Sequence, residues 1–386
     1  MNVIKVLHVT THDEDCGIAK YQQNYIDSFT KNYPEIENQI FEYSPNKTKT
    51  MNEAQFNEAL GLFKQQIANY DILHIQHEFG FFQHNELEQY VKFAKKMHKK
   101  VIFTVHTSPD VVIIIPKLGG IGPRSIYKYL RERRHANELI KRHVIPLRLA
   151  DIVLAHNELT IKSLLEFGVA KDKVIRIKHP IPNLISRLSS DEIKSKLDYH
   201  EGDIIFACVG FMHKHKGLFD AVKALNYLPH TYKLAIIGGV HPFSDSADIY
   251  NKITDLIVQY NLQDRVYITG FIKEDNRLNS LIQEAIVCVY PYDGVYYGKT
   301  SSGALNLAFA NSMPVIAYPT ATIREIAEDS KGAAVLTDTF SYYELARKLL
   351  TTNFEEKRQQ SVKYAKIMSW NMQTSKLTKI YKSIID

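Results

Sequence analysis

Twelve short apolar runs, rich in β-branched and aromatic residues, recur along the chain with longer helix-patterned stretches between them. Residues 3–10, 39–43, 71–77, 101–106, 151–155 and 173–178 form one set, and 204–210, 233–238, 265–270, 285–290, 314–318 and 333–336 a second. Within each run the apolar residues are continuous. A strand covered on one face alternates; a strand of a parallel sheet covered on both faces does not. Parallel neighbours need a crossover, usually a helix, so the runs and their spacers read as βαβ units. At 386 residues the chain exceeds one ordinary core. The expected fold class is α/β: two doubly wound parallel-sheet (Rossmann-like) domains facing a cleft. Pro180 and Pro182 stop regular structure at the join. The expected division is 1–182 for a first domain and 183–365 for a second, followed by a terminal helix over 366–386 with no strand after it to pack under.

Composition excludes several classes. Cys16, Cys208 and Cys288 are far apart and fit no metal or disulfide spacing, which points to a reducing compartment. The start, MNVIKVLHVTTHDED, turns acidic too early for a signal peptide, and no stretch approaches the roughly 20 apolar residues of a membrane span. A cytoplasmic protein is expected. The net charge of +6 is concentrated in one place. Residues 124–148, RSIYKYLRERRHANELIKRHVIPLR, set Arg124, Lys128, Arg131, Arg133, Arg134, Lys141, Arg142 and Arg148 against Glu132 and Glu138, and the remainder of the chain is balanced. A charge run is usually a solvated face. Here Ile126, Tyr127, Leu130, Leu139, Ile140 and Ile145 are interleaved with the cations, a pattern that also suits peripheral docking on the anionic inner face of a membrane. No nucleic-acid motif accompanies the patch, and nucleic acid is not expected as a partner.

In open parallel sheets ligands bind beyond the carboxyl ends of the strands, so the residues just after each run are the candidates. In YYGKTSSGALNLAFANSMPVIAY, residues 296–318, a helix begins near Thr300 or Ser301 with no acid in its first turn. A helix start presents free N–H groups and a partial positive charge. With Lys299 just outside and Ser301, Ser302 and Gly303 inside, it suits a phosphate or diphosphate; a plainly capped helix is the alternative. In VGFMHKHKGLFDAVKAL, residues 209–225, Gly210 ends a strand and Lys216–Gly217 opens a helix. Lys216 and Lys299 then meet at one sheet edge, where two ammonium groups would balance a diphosphate. In RVYITGFIKED, Phe271 and Ile272 follow the strand-ending Gly270, and this apolar pair with its amides either holds a planar base or packs into the core.

The first half offers TTHDEDCGIAKYQQNYIDSF, where Gly17 opens a helix after the first strand. Asp13-Glu14-Asp15 fits an Asp-x-Asp metal pattern or an acidic turn. No further oxygen-ligand cluster lies nearby in sequence, and no metal is expected. HIQHEFGFF ends its strand in His77 and Glu78, and FTVHTSPD in His106 and Thr107. Buried strands seldom end in His-Glu with nothing to satisfy them. His77, Glu78 and His106 are therefore candidates for binding sugar hydroxyls or moving a proton, with a satisfied turn histidine as the alternative.

Taken in order, these segments resemble glycosyltransferase family 4, retaining enzymes of the GT-B fold, over nearly the whole chain. DCGIAKY looks like that family's N-terminal glycine loop. QHEFGFF and FTVHTSP look like its HEYG-like and strand-His segments, and VGFMHKHKGLFDAVKAL like its Lys-Gly donor motif. VYITGFIKED and SSGALNLAFANSMPVIAYPTATIREIAE look like its nucleotide-binding half. SWNMQTSKLTKIYKSI resembles the final helix, which in that fold crosses back to the first domain. The resemblance implies a hexosyltransferase that uses a nucleotide-diphosphate sugar as donor and needs no metal or other cofactor. Its acceptor would be a glycan or a lipid-linked molecule, in surface polysaccharide or glycoconjugate synthesis.

Carried over by position, Lys216 matches the lysine that contacts the donor diphosphate, and His106 the strand-end histidine near the transferred sugar. The arginine that stands five residues before that lysine is Phe211 here, and the family's paired glutamates fall on Lys299 and Leu307. Lys299 then stands in as counter-charge to the diphosphate. These departures keep two other readings open: a sugar-nucleotide epimerase or hydrolase of the same fold, and a non-catalytic sugar-nucleotide-binding subunit.

Overall fold

The structure is a computed structural model that describes residues 3–12, 16–240, 246–294 and 302–385. Every apolar run named above carries a strand. β1 (Ile4–Thr10), β2 (Ile36–Glu42), β3 (Ile72–His77), β4 (Lys100–Val105), β5 (Ile152–Ala155) and β6 (Val174–Arg176) form one sheet in the order β2-β1-β3-β4-β5-β6. β7 (Ile204–Val209), β8 (Tyr232–Ile237), β9 (Val266–Ile268), β10 (Val287–Tyr290), β11 (Val315–Ala317) and β12 (Ala334–Leu336) form the other, in the order β12-β11-β10-β7-β8-β9. All pairings within both sheets are parallel.

The continuous apolar runs are explained by cover on both faces. On β7, Ile205, Ala207 and Val209 enter one core with Leu281, Leu305 and Phe309, while Phe206 and Cys208 enter another with Leu225 and Ile316. On β1, Leu7 and Val9 face one core and Ile4 and Val6 the other. Strand order reverses between β1 and β3 and between β7 and β10. The crossovers part at these two switch points and leave a crevice at the strands' carboxyl ends, where such sheets take their ligands.

The chain divides into two compact units, Met1–His179 with Trp370–Asp386, and Pro180–Ser369. The join falls three residues ahead of the boundary expected from the prolines, because Ile181 pairs with Ser369 and its N–H donates to the Met368 carbonyl. The last helix, Trp370–Ile385, packs within the first unit against the helix Gly17–Asn32. Tyr381 stacks on Phe29 with ring centroids 5.7 Å apart, and Trp370 meets Tyr25 edge-on at 5.0 Å. Among the described residues no helix is long and apolar enough to cross a membrane.

The Tyr381 hydroxyl lies 2.6 Å from His74 Nδ1, and His74 Nε2 lies 2.8 Å from the Thr104 hydroxyl. The line is buried and ties the last helix to β3 and β4. Tyr381→Phe leaves His74 Nδ1 buried without that partner. Urea denaturation should show a loss of about 1–3 kcal/mol.

Candidate active site

In the second unit the chemistry gathers at the β7/β10 switch point. β7 ends at Val209, and the segment after it turns through Lys214–Lys216 into the helix Leu218–Asn226. Gly217 makes that turn at φ +67°, and a β-carbon on it would fall 1.8 Å from the Pro291 carbonyl oxygen, in the segment after β10. The Asp293 N–H donates to the His215 carbonyl at 2.9 Å, so the two segments are stitched together. Lys216 is thereby carried onto Tyr292: its Nζ donates to the Tyr292 hydroxyl at 3.0 Å and stands 4.4 Å from the ring centroid. The same hydroxyl is 3.0 Å from Ser302 Oγ, the N-cap of the helix Gly303–Ala310, which accepts from the Leu305 N–H.

An ammonium group, a tyrosine hydroxyl, a serine hydroxyl and an acid-free helix start therefore lie within one short chain of contacts. The first turn of that helix carries no carboxylate to cancel the dipole. Burial pushes the Lys216 amine down to about 8 from its ordinary 10.5, since taking a cation out of water disfavours the charged form. An anion at the helix start would favour that form again. Lys299 and Ser301 lie outside the described residues, as do Asp13, Glu14 and Asp15.

Beside this cradle, the ends of β8 and β9 reach the same edge. Phe271 is exposed and stacks on Phe211, with ring centroids 5.6 Å apart and planes 8° from parallel. It offers a flat face to a planar group. Its neighbour Ile272 does not: its side chain is buried among Ile237, Leu281 and Ile282. The base-contact expectation at position 272 is corrected to core packing, because the chain turns inward after Phe271 toward the helix Asp275–Glu284.

In the first unit the strand ends carry imidazoles. His106 follows β4, and its Nε2 lies 2.8 Å from Gln76 Oε1, while Gln76 Nε2 donates to Gln22 Oε1 at 2.7 Å. His156 follows β5 and His179 follows β6, and both pack with His106 around the Tyr21 ring, at 5.0–5.5 Å between centroids. Burial, reinforced by neighbouring imidazoles, holds His106 and His156 well below the ordinary histidine range, His156 at about 3. Glu78 accepts from the Thr107 hydroxyl at 2.7 Å and from the Phe79 N–H at 2.9 Å. Partial burial raises its carboxyl. Gly17 is the first residue of its helix, and a β-carbon there would meet no described atom within 4 Å.

His77 is not at the site. It is fully buried, its Nε2 lies 3.2 Å from His143 Nδ1, and its ring packs against Phe79, Phe82 and Phe103. Burial and the His143 neighbour hold it neutral. It is a core histidine, and the catalytic expectation for it is withdrawn. Conversely, Tyr292, Tyr21, Gln76, His156 and His179 were missed. Their signal was positional: Tyr292, His156 and His179 each stand one to three residues past a strand, as His106 does.

The fold and the site carry the two halves of one family. Residues 31–182 match the family model for Glycosyltransferase Family 4, and residues 189–368 the model for Glycosyl transferases group 1. The chain belongs to the glycosyltransferases of the family 4 type, with a GT-B fold. No curated protein matches it in sequence. Among solved structures it is similar to HepE of Anabaena in complex with UDP, at 13% identity and a TM-score of 0.68, covering 98% of this chain and 100% of that one. Sucrose-phosphate synthase from Thermosynechococcus elongatus gives 17% identity and 0.67, over 99% of both chains. A glycosyltransferase from Rickettsia africae gives 17% and 0.65, over 100% of both.

The lowered Lys216 value sets a pH dependence. The unfolded chain keeps this proton up to 10.5 and the empty folded site only to about 8. Between those values the unfolded state binds more protons, so stability of the empty protein rises with pH there. Affinity for an anion runs the other way, because the anion prefers the protonated amine. Calorimetric titration of a nucleoside diphosphate should show binding weakening as pH rises from about 7 to about 9, by up to tenfold per unit above the folded value. Lys216→Met should flatten that profile.

Proposed function

We propose that the protein is a retaining hexosyltransferase that takes its sugar from a nucleotide-diphosphate donor and passes it to a glycan or lipid-linked acceptor, in surface polysaccharide or glycoconjugate synthesis. The observation that carries this is Lys216 Nζ, held by Tyr292 beside the Ser302-capped helix start at the β7/β10 switch point. Among the described residues this is an anion cradle of backbone dipoles and the Lys216 ammonium group, to which Lys299 would add a second. The solved complexes of Anabaena HepE with UDP and with UDP-glucose support a donor of that class.

In this reading the cradle does its work in the transition state. The bond from the anomeric carbon to the donor diphosphate breaks, charge builds on the departing oxygen, and Lys216 with the helix start stabilises it. The acceptor oxygen bonds to the anomeric carbon from the same face, and its proton passes to the leaving diphosphate. Such a step requires no protein nucleophile. Phe271, stacked on Phe211, supplies a flat apolar face for the base. Gly17 leaves room at its helix start for a substrate group to approach the backbone. His106 and Glu78 serve the sugar and acceptor as hydrogen-bond partners, and His106, held neutral with its Nε2 toward the Gln76 oxygen, offers Nδ1 as an acceptor. On this reading protein groups bind the donor, and no metal or other cofactor is expected. A lipid-linked acceptor would be met at a membrane, and the basic segment 124–148 supplies charge for an anionic one.

Turnover separates the possibilities. The transferase reading expects nucleoside diphosphate to be released only when an acceptor sugar is added, with the donor's anomeric configuration kept in the product by NMR. Release without acceptor would mark a hydrolase, and no release with any donor a binding subunit. Lys216→Ala should lower kcat by roughly 10²–10³. A variant that binds and turns over like the parent would move the site elsewhere.

A further inference from the structure

The helix Pro123–Leu139 has no packing that accounts for it. Over 17 residues it buries a single one, Ala136. Helices of this length are marginal in water unless one face is packed away. Its inner side, at Ala136 and Leu139, turns toward the small cluster of Phe79, Ile113 and Val144. The opposite side projects Ile126, Tyr127 and Leu130 to solvent, the last two at 70% and 58% exposure. The irregular segment just before it does the same with Ile114, Leu118 and Ile121, the first at 75% and the last at 91%. Single exposed apolar residues need no explanation, but six within 17 positions of sequence form a patch that does.

The charges around the patch identify what covers it. Arg124, Lys128 and Arg131 lie on one flank of the Ile126–Leu130 stripe and Arg133 on the other, by their spacing along the helix. Among the described residues Arg124, Arg131 and Arg133 make no ion pair, while Lys128 and Arg134 are matched by Glu132 at 3.9 Å and Glu138 at 3.2 Å. An apolar ridge between cationic flanks matches the boundary between acyl chains and anionic headgroups. A second copy of the chain fits poorly, since a two-fold contact would set these cations against themselves. Nucleic acid would leave the ridge uncovered.

We propose that residues 114–134 are a membrane-docking surface that seats Ile114, Leu118, Ile121, Tyr127 and Leu130 in the interface of an anionic lipid leaflet. The assignment differs from the sequence-based one over 124–148. Leu139 and Ile140 pack inward, and Arg148 is turned away to donate to the Phe167 carbonyl at 2.8 Å. It rests on exposure and charge and is independent of the donor reading.

The test is flotation of the full-length protein with phosphatidylglycerol–phosphatidylcholine vesicles and with phosphatidylcholine alone. The protein should float with the anionic vesicles, remain behind with the neutral ones, and come off in high salt. Arg131→Glu with Arg133→Glu should lower the partition by roughly fivefold for each charge lost, so ~25-fold or more. Ile121→Glu with Leu130→Glu should lower it with the cations intact, and Ile121→Ser alone in part. All these side chains are exposed, so melting temperatures should not change. The proposal is overturned if the parent ignores anionic vesicles, or if both double variants float like the parent. It is equally overturned if the patch variants instead dissolve a dimer on gel filtration, or if the parent binds duplex RNA and no vesicle.

Discussion

A β-carbon on Gly238 would lie 2.1 Å from the carbonyl oxygen of Gly210, and one on Gly239 would lie 2.5 Å from the backbone nitrogen of Phe271. The ends of β7, β8 and β9 thus approach one another backbone to backbone, with no room for any side chain at the contact. The Gly210 N–H donates to the Ile237 carbonyl and the Met212 N–H to the Gly239 carbonyl, so the sheet's hydrogen bonding continues past its last strand residues. Gly238 adopts φ +149°, which a side chain would strain as well as block. This closure decides where the chain after β7 goes. It brings Phe211 onto Phe271 and sends Lys216 back across the switch point onto Tyr292.

The placement of Lys216 follows from that geometry at a cost. The amine is drawn out of water onto an aromatic ring and a hydroxyl, neither of which carries a formal charge. A tyrosine face and hydroxyl offset part of the lost hydration, and the remainder appears as the depressed proton affinity. A helix start without a carboxylate in its first turn lies nearby. On the proposed reading a bound anion would favour both features, which is how preorganised electrostatic sites operate.

Much of the fold was legible because buried parallel strands leave a one-dimensional trace: continuous apolar runs, each strand followed within two residues by glycine, proline or a polar residue. The candidate site histidines were harder to read, and a single residue explains why. β3 runs through His77, which pairs with Val105, whereas β4 stops at Val105 and leaves His106 just beyond the sheet. Both histidines end an apolar run, and no local pattern separates the last paired residue from the first unpaired one. Ile272 was misplaced for a similar reason, since Phe271 and Ile272 point to opposite sides of the same turn. The contacts through Tyr292, between segments some 76 residues apart, have no sequence signature at all. The interleaved cations and apolar residues of 124–148 gave the amphipathic character but not its direction. The inward side shows up only against Ile113 and Val144, which pack from either end of the segment.

Burial keeps His106 and His156 of the first unit uncharged, and that shapes what they can do. The His156 Nδ1 lies 2.9 Å from the Ile177 carbonyl, which only accepts, so Nδ1 carries the proton and Nε2 is left as a lone pair. His106 is held by Gln76, whose amide is itself fixed by Gln22 on the helix Gly17–Asn32. With the Gln76 oxygen toward it, His106 is protonated on Nε2 and presents Nδ1 as an acceptor. A hydroxyl can donate to that nitrogen without any proton leaving the pair. Acid–base work at neutral pH needs a group that titrates near it, and burial with its imidazole neighbours has moved His106 far below. The ring is thus suited to orienting hydroxyls, and proton transfer is left to a partner with charge to lose.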